Sequence, residues 1–160
     1  MIRIEHANLV VKDIAATLAF IQTAFPTWRI RGQGGNNWGG KPRRWLHVGD
    51  DNYYLTLNDG AEGENRDLSG HAPGLAHLGF VVDDVDGVIQ RLEAKGFQIA
   101  VSGGDHPFRK TVYFIEPAGF EFEFMEYLSD KPSERNLYEC AGTTTVDPDY
   151  ATQVIRTADA

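Results

Sequence analysis

A chain of 160 residues, 42% hydrophobic and 24% charged, has the size and composition of one globular domain with an ordinary core. Its formal net charge of -8 argues against polyanionic partners, so neither nucleic acid nor an anionic membrane surface is expected. The single cysteine, Cys140, excludes an internal disulfide and a multi-cysteine zinc cluster. With no apolar run of membrane-spanning length and no signal-peptide pattern after Met1, a cytoplasmic protein is expected.

Residues Ile2 to Val11 alternate as a strand, with Ala7, Leu9 and Val11 on one face and His6 on the other. Asp13 suits the N-cap of a helix whose Ile14, Leu18, Ile21 and Phe25 recur at helical spacing, and Pro26 stops it. Trp28 to Arg31 reads as a short strand. Gly32 to Pro42, rich in Gly and Asn, reads as a loop lacking the ending of a phosphate-binding loop. Arg44 to Val48 and Tyr53 to Asn58 read as strands around the turn at residues 49–52.

A polar, turn-rich linker follows at residues 59–74, and then the pattern restarts. Leu75 to Val82 is a strand. Asp83 or Asp84 caps a helix with Val85, Val88, Ile89 and Leu92 inward, and Gly96 closes it. Strands are expected at Phe97 to Val101 and Lys110 to Ile115. The turn Glu116-Pro117-Ala118-Gly119 then leads into Phe120 to Glu126, where Phe alternates with Glu121, Glu123 and Met125.

Superposed at an offset of 71 residues, His6 falls on His77, Leu9 on Phe80 and Leu18 on Ile89. The closing strands match at a slightly smaller offset, with Tyr54 opposite Glu123. The chain is therefore an α+β protein of two tandem β-α-β-β-β modules, residues 1–58 and 75–128, followed by a polar tail or arm at 129–160. Each module should form a curved mixed sheet with its helix outside and a concave face inside. His6, Tyr54, Thr56, His77 and Glu123 are expected on the concave side, and His47 beside Trp45 points there too. Arg109 is a candidate for holding an anionic substrate group. In the tail, only Tyr138 and the pair Val154-Ile155 offer apolar anchors, as for an arm reaching a partner subunit.

Three stretches carry a family resemblance: Ile4-Glu5-His6-Ala7-Asn8-Leu9-Val10-Val11, Ala76-His77-Leu78-Gly79-Phe80-Val81-Val82-Asp83, and Glu116-Pro117-Ala118-Gly119-Phe120-Glu121-Phe122-Glu123. With the duplicated module, they resemble the vicinal oxygen chelate superfamily of glyoxalases, bleomycin- and fosfomycin-resistance proteins and extradiol dioxygenases, over about residues 1 to 128. The resemblance implies a divalent metal in the concave cavity, with His6, His77 and Glu123 as ligands. The fourth position falls on Tyr54, where glyoxalase I has a carboxylate. Two His and one carboxylate suit Fe(II) or Mn(II), with Zn(II) and Ni(II) as alternatives.

Gly104-Asp105-His106, then Val112-Tyr113, then the turn and Glu123 resemble an extradiol-dioxygenase stretch. That match implies His106 and Tyr113 as catalytic groups that hydrogen-bond the bound substrate or oxygen. From their strand faces and charge, His47, Tyr54, Thr56 and Arg109 are expected substrate contacts. The expectation is a metal-dependent enzyme chelating vicinal oxygens of a small substrate, with a slight lean to dioxygenase-like chemistry, in a homodimer. The alternatives are a metal-free binding protein like the bleomycin-resistance proteins, and a fosfomycin-resistance-like transferase or glyoxalase-type lyase or isomerase.

Overall fold

The computed structural model describes residues 2–138. Its elements run β1 (His6–Val10), α1 (Ile14–Ala24), β2 (Arg29–Trp38), β3 (Lys41–Gly49) and β4 (Tyr54–Asn58), then β5 (His77–Val81), α2 (Val85–Ala94), β6 (Ile99–Ser102), β7 (Arg109–Ile115), β8 (Glu121–Tyr127) and α3 (Pro132–Arg135). Two four-stranded mixed sheets result, ordered β1-β4-β3-β2 and β5-β8-β7-β6. In each, the first strand lies parallel to the last and the remaining pairs are antiparallel. The expected duplicated α+β module is what the chain forms.

Local chemistry fixes the helices as expected. Asp13 accepts from the Ala15 and Ala16 amides at 2.8 and 3.1 Å, satisfying donors at the start of α1. Asp84 does the same for α2 through Gly87 N at 2.8 Å, and Glu126 of β8 takes the Val85 amide at 3.0 Å. Gly96, with φ of 87°, turns the chain out of α2. Arg91 of α2 donates to the Thr23 and Ala24 carbonyls at 3.1 and 3.0 Å, covering the C-terminal end of α1. The helices thus bind the modules to each other as well as covering their sheets.

One apolar core serves both modules. Phe20 of α1 meets Phe97 and Phe122 edge-on, and Phe25 meets Phe80 and Phe124. A polar tie crosses the same interface. The Thr17 hydroxyl donates to Glu116 Oε2 at 2.8 Å, while Glu116 Oε1 accepts from the Ala118 and Phe120 amides at 2.8 and 3.1 Å. Both side chains are buried, and the three donors are what make a carboxylate tolerable there. Because the shared core lies on the helix-covered sides, the two concave faces are directed away from it.

The largest departure from expectation is the segment at residues 32–42. It is no loop: β2 continues to Trp38 and returns as β3, paired from Arg29↔Gly49 to Trp38↔Lys41. Gly39 and Gly40, at φ of 58° and 80°, form the two-residue connection that such hairpins favour. The glycines in β2 have a packing reason. A Cβ on Gly34 would stand 2.8 Å from the Trp45 indole, so the bare backbone lets that ring lie against the strand.

The closing strands also align differently from the sequence superposition. His6 pairs with Tyr54 and His77 with Glu121, while Asn8 pairs with Thr56 and Gly79 with Glu123. Glu121 is therefore the counterpart of Tyr54, and Thr56 that of Glu123. A slip of two residues preserves the in-out alternation, so periodicity could not detect it.

Past β8, the chain folds back on its own second module. The Arg135 guanidinium lies 4.0 Å from the Tyr127 ring centroid, and Arg109 lies 5.2 Å from that of Tyr138. Cys140, Val154 and Ile155 lie outside the described residues. Among the described residues, no helix is long and apolar enough to cross a membrane.

Candidate active site

The concave face of the second module gathers His77, Tyr113, Glu121 and Glu123 from β5, β7 and β8. Glu123 is 9% exposed and uses both oxygens. Oε1 accepts from the Tyr113 hydroxyl at 2.7 Å, and Oε2 stands 3.1 Å from His77 Nε2. Across the ladder, Tyr113 and Glu123 are direct partners, which places the phenol on the carboxylate. Burial first, then the hydrogen bond to Glu123 and its charge, push the Tyr113 phenol well above its ordinary range. It therefore stays protonated and acts as a donor. Glu121 Oε2 lies 3.9 Å from His77 Nδ1, an electrostatic neighbour beyond hydrogen-bond length. The Glu121 side chain is 18% exposed.

On the first module, aromatic and imidazole rings form a continuous row. His6 stacks on Tyr54 at 4.7 Å, Tyr54 meets His47 at 4.8 Å, and His47 meets Trp45 at 4.7 Å. Arg31 adds its guanidinium 4.4 Å from the Tyr54 ring centroid. Burial, then the charges of His6 and Arg31, lower the His47 pKa, with Glu5 opposing them. Thr56 is buried at 6% exposure in the middle of this sheet. Arg31 was not anticipated. It is the extra residue where the β2–β3 register shifts between Ile30 and Gly32, and a bulge of that kind leaves little trace in sequence.

His6 and His77 line opposite parts of one groove of about 710 Å3, floored by Phe25, Trp28 and Phe80. Among the described residues, however, no three His, Cys, Asp or Glu side chains come together as a metal cluster. Only His77 and Glu123 of the three anticipated ligands meet; the His6 imidazole is instead 3.1 Å from Glu5 Oε2. His106 is held by main chain. Its Nδ1 accepts from the Phe108 amide at 3.1 Å, which leaves Nε2 to donate to the Leu137 carbonyl at 2.9 Å. No hydrogen bond joins His106 to Tyr113 or Glu123 among the described residues. Arg109 shares the β7 face with Tyr113, with its guanidinium near the Tyr138 ring.

The pair that does form fits a divalent cation. Neighbouring N and O donors around an octahedral ion, each about 2.1 Å from it, lie about 3 Å apart. The His77–Glu123 separation of 3.1 Å has that value. Tyr113, bonded to the Glu123 carboxylate, stands where an outer partner of a ligating carboxylate would.

Solved structures share this fold. A glyoxylase/bleomycin resistance protein/dioxygenase domain from Frankia sp. EAN1pec matches with a TM-score of 0.67 at 18% identity, over 86% of this chain and 99% of that one. A glyoxalase family protein from Bacillus cereus matches with a TM-score of 0.67 at 14% identity, over 81% and 96%. The fosfomycin resistance protein FosX from Listeria monocytogenes, complexed with Mn(II) and sulfate, matches with a TM-score of 0.56 at 21% identity, over 84% and 98%. No curated protein sequence matches the chain. The family model of the Glyoxalase/Bleomycin resistance protein/Dioxygenase superfamily covers residues 3–124, and to that superfamily the chain belongs.

Proposed function

We propose that the protein is a metal-dependent enzyme acting on a small substrate with two adjacent oxygens. His77, Glu123 and His6 would hold one divalent ion, Mn(II) or Fe(II) by donor type. The observation that carries this reading is Glu123, whose two oxygens are divided between a protonated phenol and an imidazole nitrogen 3.1 Å away. The FosX relative with Mn(II) is consistent with it.

His6 comes from a second copy of the chain in this reading. Within one chain His6 lines the same groove as His77 but does not join the His77–Glu123 pair, and its ring lies against Glu5. A homodimer could lay the first module's face, carrying His6, against the second module's face of its partner.

The bound ion would act as a Lewis acid toward both substrate oxygens. Tyr113 keeps the Glu123 carboxylate oriented by donating to Oε1, and Glu121 lies beside the His77 ring. The row from His6 to Trp45 supplies the opposite wall. Extradiol-type oxygenation remains the second reading because the two-His, one-carboxylate set suits it. Its other support, His106, has both ring nitrogens committed to backbone.

Elemental analysis of protein purified without chelator tests the proposal. About one divalent ion per site is expected, lost in His77→Ala. Metal-free protein that also takes up no Fe(II), Mn(II), Zn(II) or Ni(II) would instead support a metal-free binding protein. Oxygen uptake by the iron-loaded protein with a panel of catechols separates the two chemistries.

A further inference from the structure

The first module's concave face carries a cation that, among the described residues, has no hydrogen-bond or ion-pair partner. Arg31 makes no hydrogen bond or ion pair among the described residues, whereas its neighbour Arg29 is ion-paired with Asp51. The nearby carboxylate Asp50 feels the Arg31 charge but bonds elsewhere: its Oδ1 accepts from the Asn52 and Tyr53 amides at 2.7 and 2.9 Å, closing the β3–β4 turn. The β2 bulge lifts Arg31 out of the ladder and sets its guanidinium 4.4 Å from the Tyr54 ring centroid.

Beside it runs the ring row of the same face. Gly34 leaves the Trp45 indole lying on β2, with atoms 2.8 to 3.1 Å from where a Cβ would be, and Gly32 extends the clearance. One face of the indole is thus taken by the strand. His47 links the indole to Tyr54. An arginine fork beside a row of half-buried rings matches a planar ligand ending in a carboxylate. The fork takes the two oxygens and the rings take the flat body.

We propose that Arg31, with the Trp45–His47–Tyr54 row, forms a specificity subsite for a flat, conjugated or aromatic carboxylic acid. This deepens the reading of the concave faces as the substrate cavity. Arg31 would anchor the carboxylate while the adjacent oxygens of the same molecule are presented to His77 and Glu123 of the opposite wall.

Benzoate and its neutral analogue benzamide test the subsite by isothermal titration and by following the Trp45 indole resonance of the full chain. Benzoate should bind saturably, at least tenfold tighter than benzamide. Arg31→Gln should remove that preference, Arg31→Lys should restore part of it, and Arg29→Gln should leave it unchanged. Inorganic phosphate is the third arm, and binding tighter than benzoate would assign the cation to a tetrahedral anion and overturn the proposal. Equal binding of benzoate and benzamide, no saturable binding, or an unaffected Arg31→Gln protein would also overturn it. Metal content measured on the same samples keeps the two ideas apart. Arg31-dependent benzoate binding without metal would retain the subsite and remove the metal enzyme. Metal uptake without benzoate selectivity would do the reverse.

Discussion

The Tyr113 hydroxyl donates to Glu123 Oε1 at 2.7 Å, leaving Oε2 of the same carboxylate for His77. Tyr113→Phe removes that donor and little else. Metal affinity should fall roughly 10–100-fold, the usual cost of losing an outer partner of a ligand. Titration with Mn(II), alongside a near-UV circular dichroism spectrum showing intact packing, checks this. Unchanged affinity would mean that Tyr113 does not orient the carboxylate.

Thr17 and Glu116 connect the modules through a buried hydrogen bond of 2.8 Å. Thr17→Val keeps the shape and strips one donor from a buried carboxylate. A loss of about 1–3 kcal/mol is expected from denaturant unfolding. Glu116→Ala should cost more, because it leaves the Thr17 hydroxyl and the Ala118 and Phe120 amides without their acceptor.

Gly34→Val places a Cβ within 2.8 Å of the Trp45 indole, a rigid group that must swing away. Overpacking of this kind costs roughly 1–3 kcal/mol. The near-UV dichroism of the indole should change while the far-UV spectrum is retained. Benzoate binding should weaken in the same variant.

Asp50 holds the β3–β4 turn through the Asn52 and Tyr53 amides, and those two bonds lower its pKa. A carboxylate whose folded pKa lies below its unfolded value stabilises the fold above the unfolded value of about 3.9 and loses that contribution as pH falls below it. Amide exchange at Asn52 and Tyr53 should therefore accelerate relative to the rest of β4 as pH is lowered through that window, after correction for intrinsic rates. Asp50→Asn should show the faster exchange at neutral pH.

The duplicated module was legible because each half repeats a strand, an Asp-capped helix and an alternating closing strand, and those local signals agree with the tertiary fold. The long hairpin was not legible, since Gly32 and Gly34 resemble loop residues until Trp45 is seen lying across them. The match of Tyr54 to Glu123 failed by two residues, a shift that leaves every side chain on its predicted face. Arg31 and Glu121 depend on a bulge and on a cross-strand neighbour. The main-chain partner of His106 at Leu137 lies too far along the sequence for local spacing to reveal.

Titration of Mn(II) into the wild-type chain and into His6→Ala, His77→Ala and Glu123→Ala tests the proposed centre most directly. Saturable binding is expected in the wild type, with each substitution weakening it beyond the roughly 10–100-fold expected for an outer partner. Full-strength binding in His6→Ala would contradict a three-ligand site completed across two copies, and absence of binding in the wild type would contradict the metal centre itself.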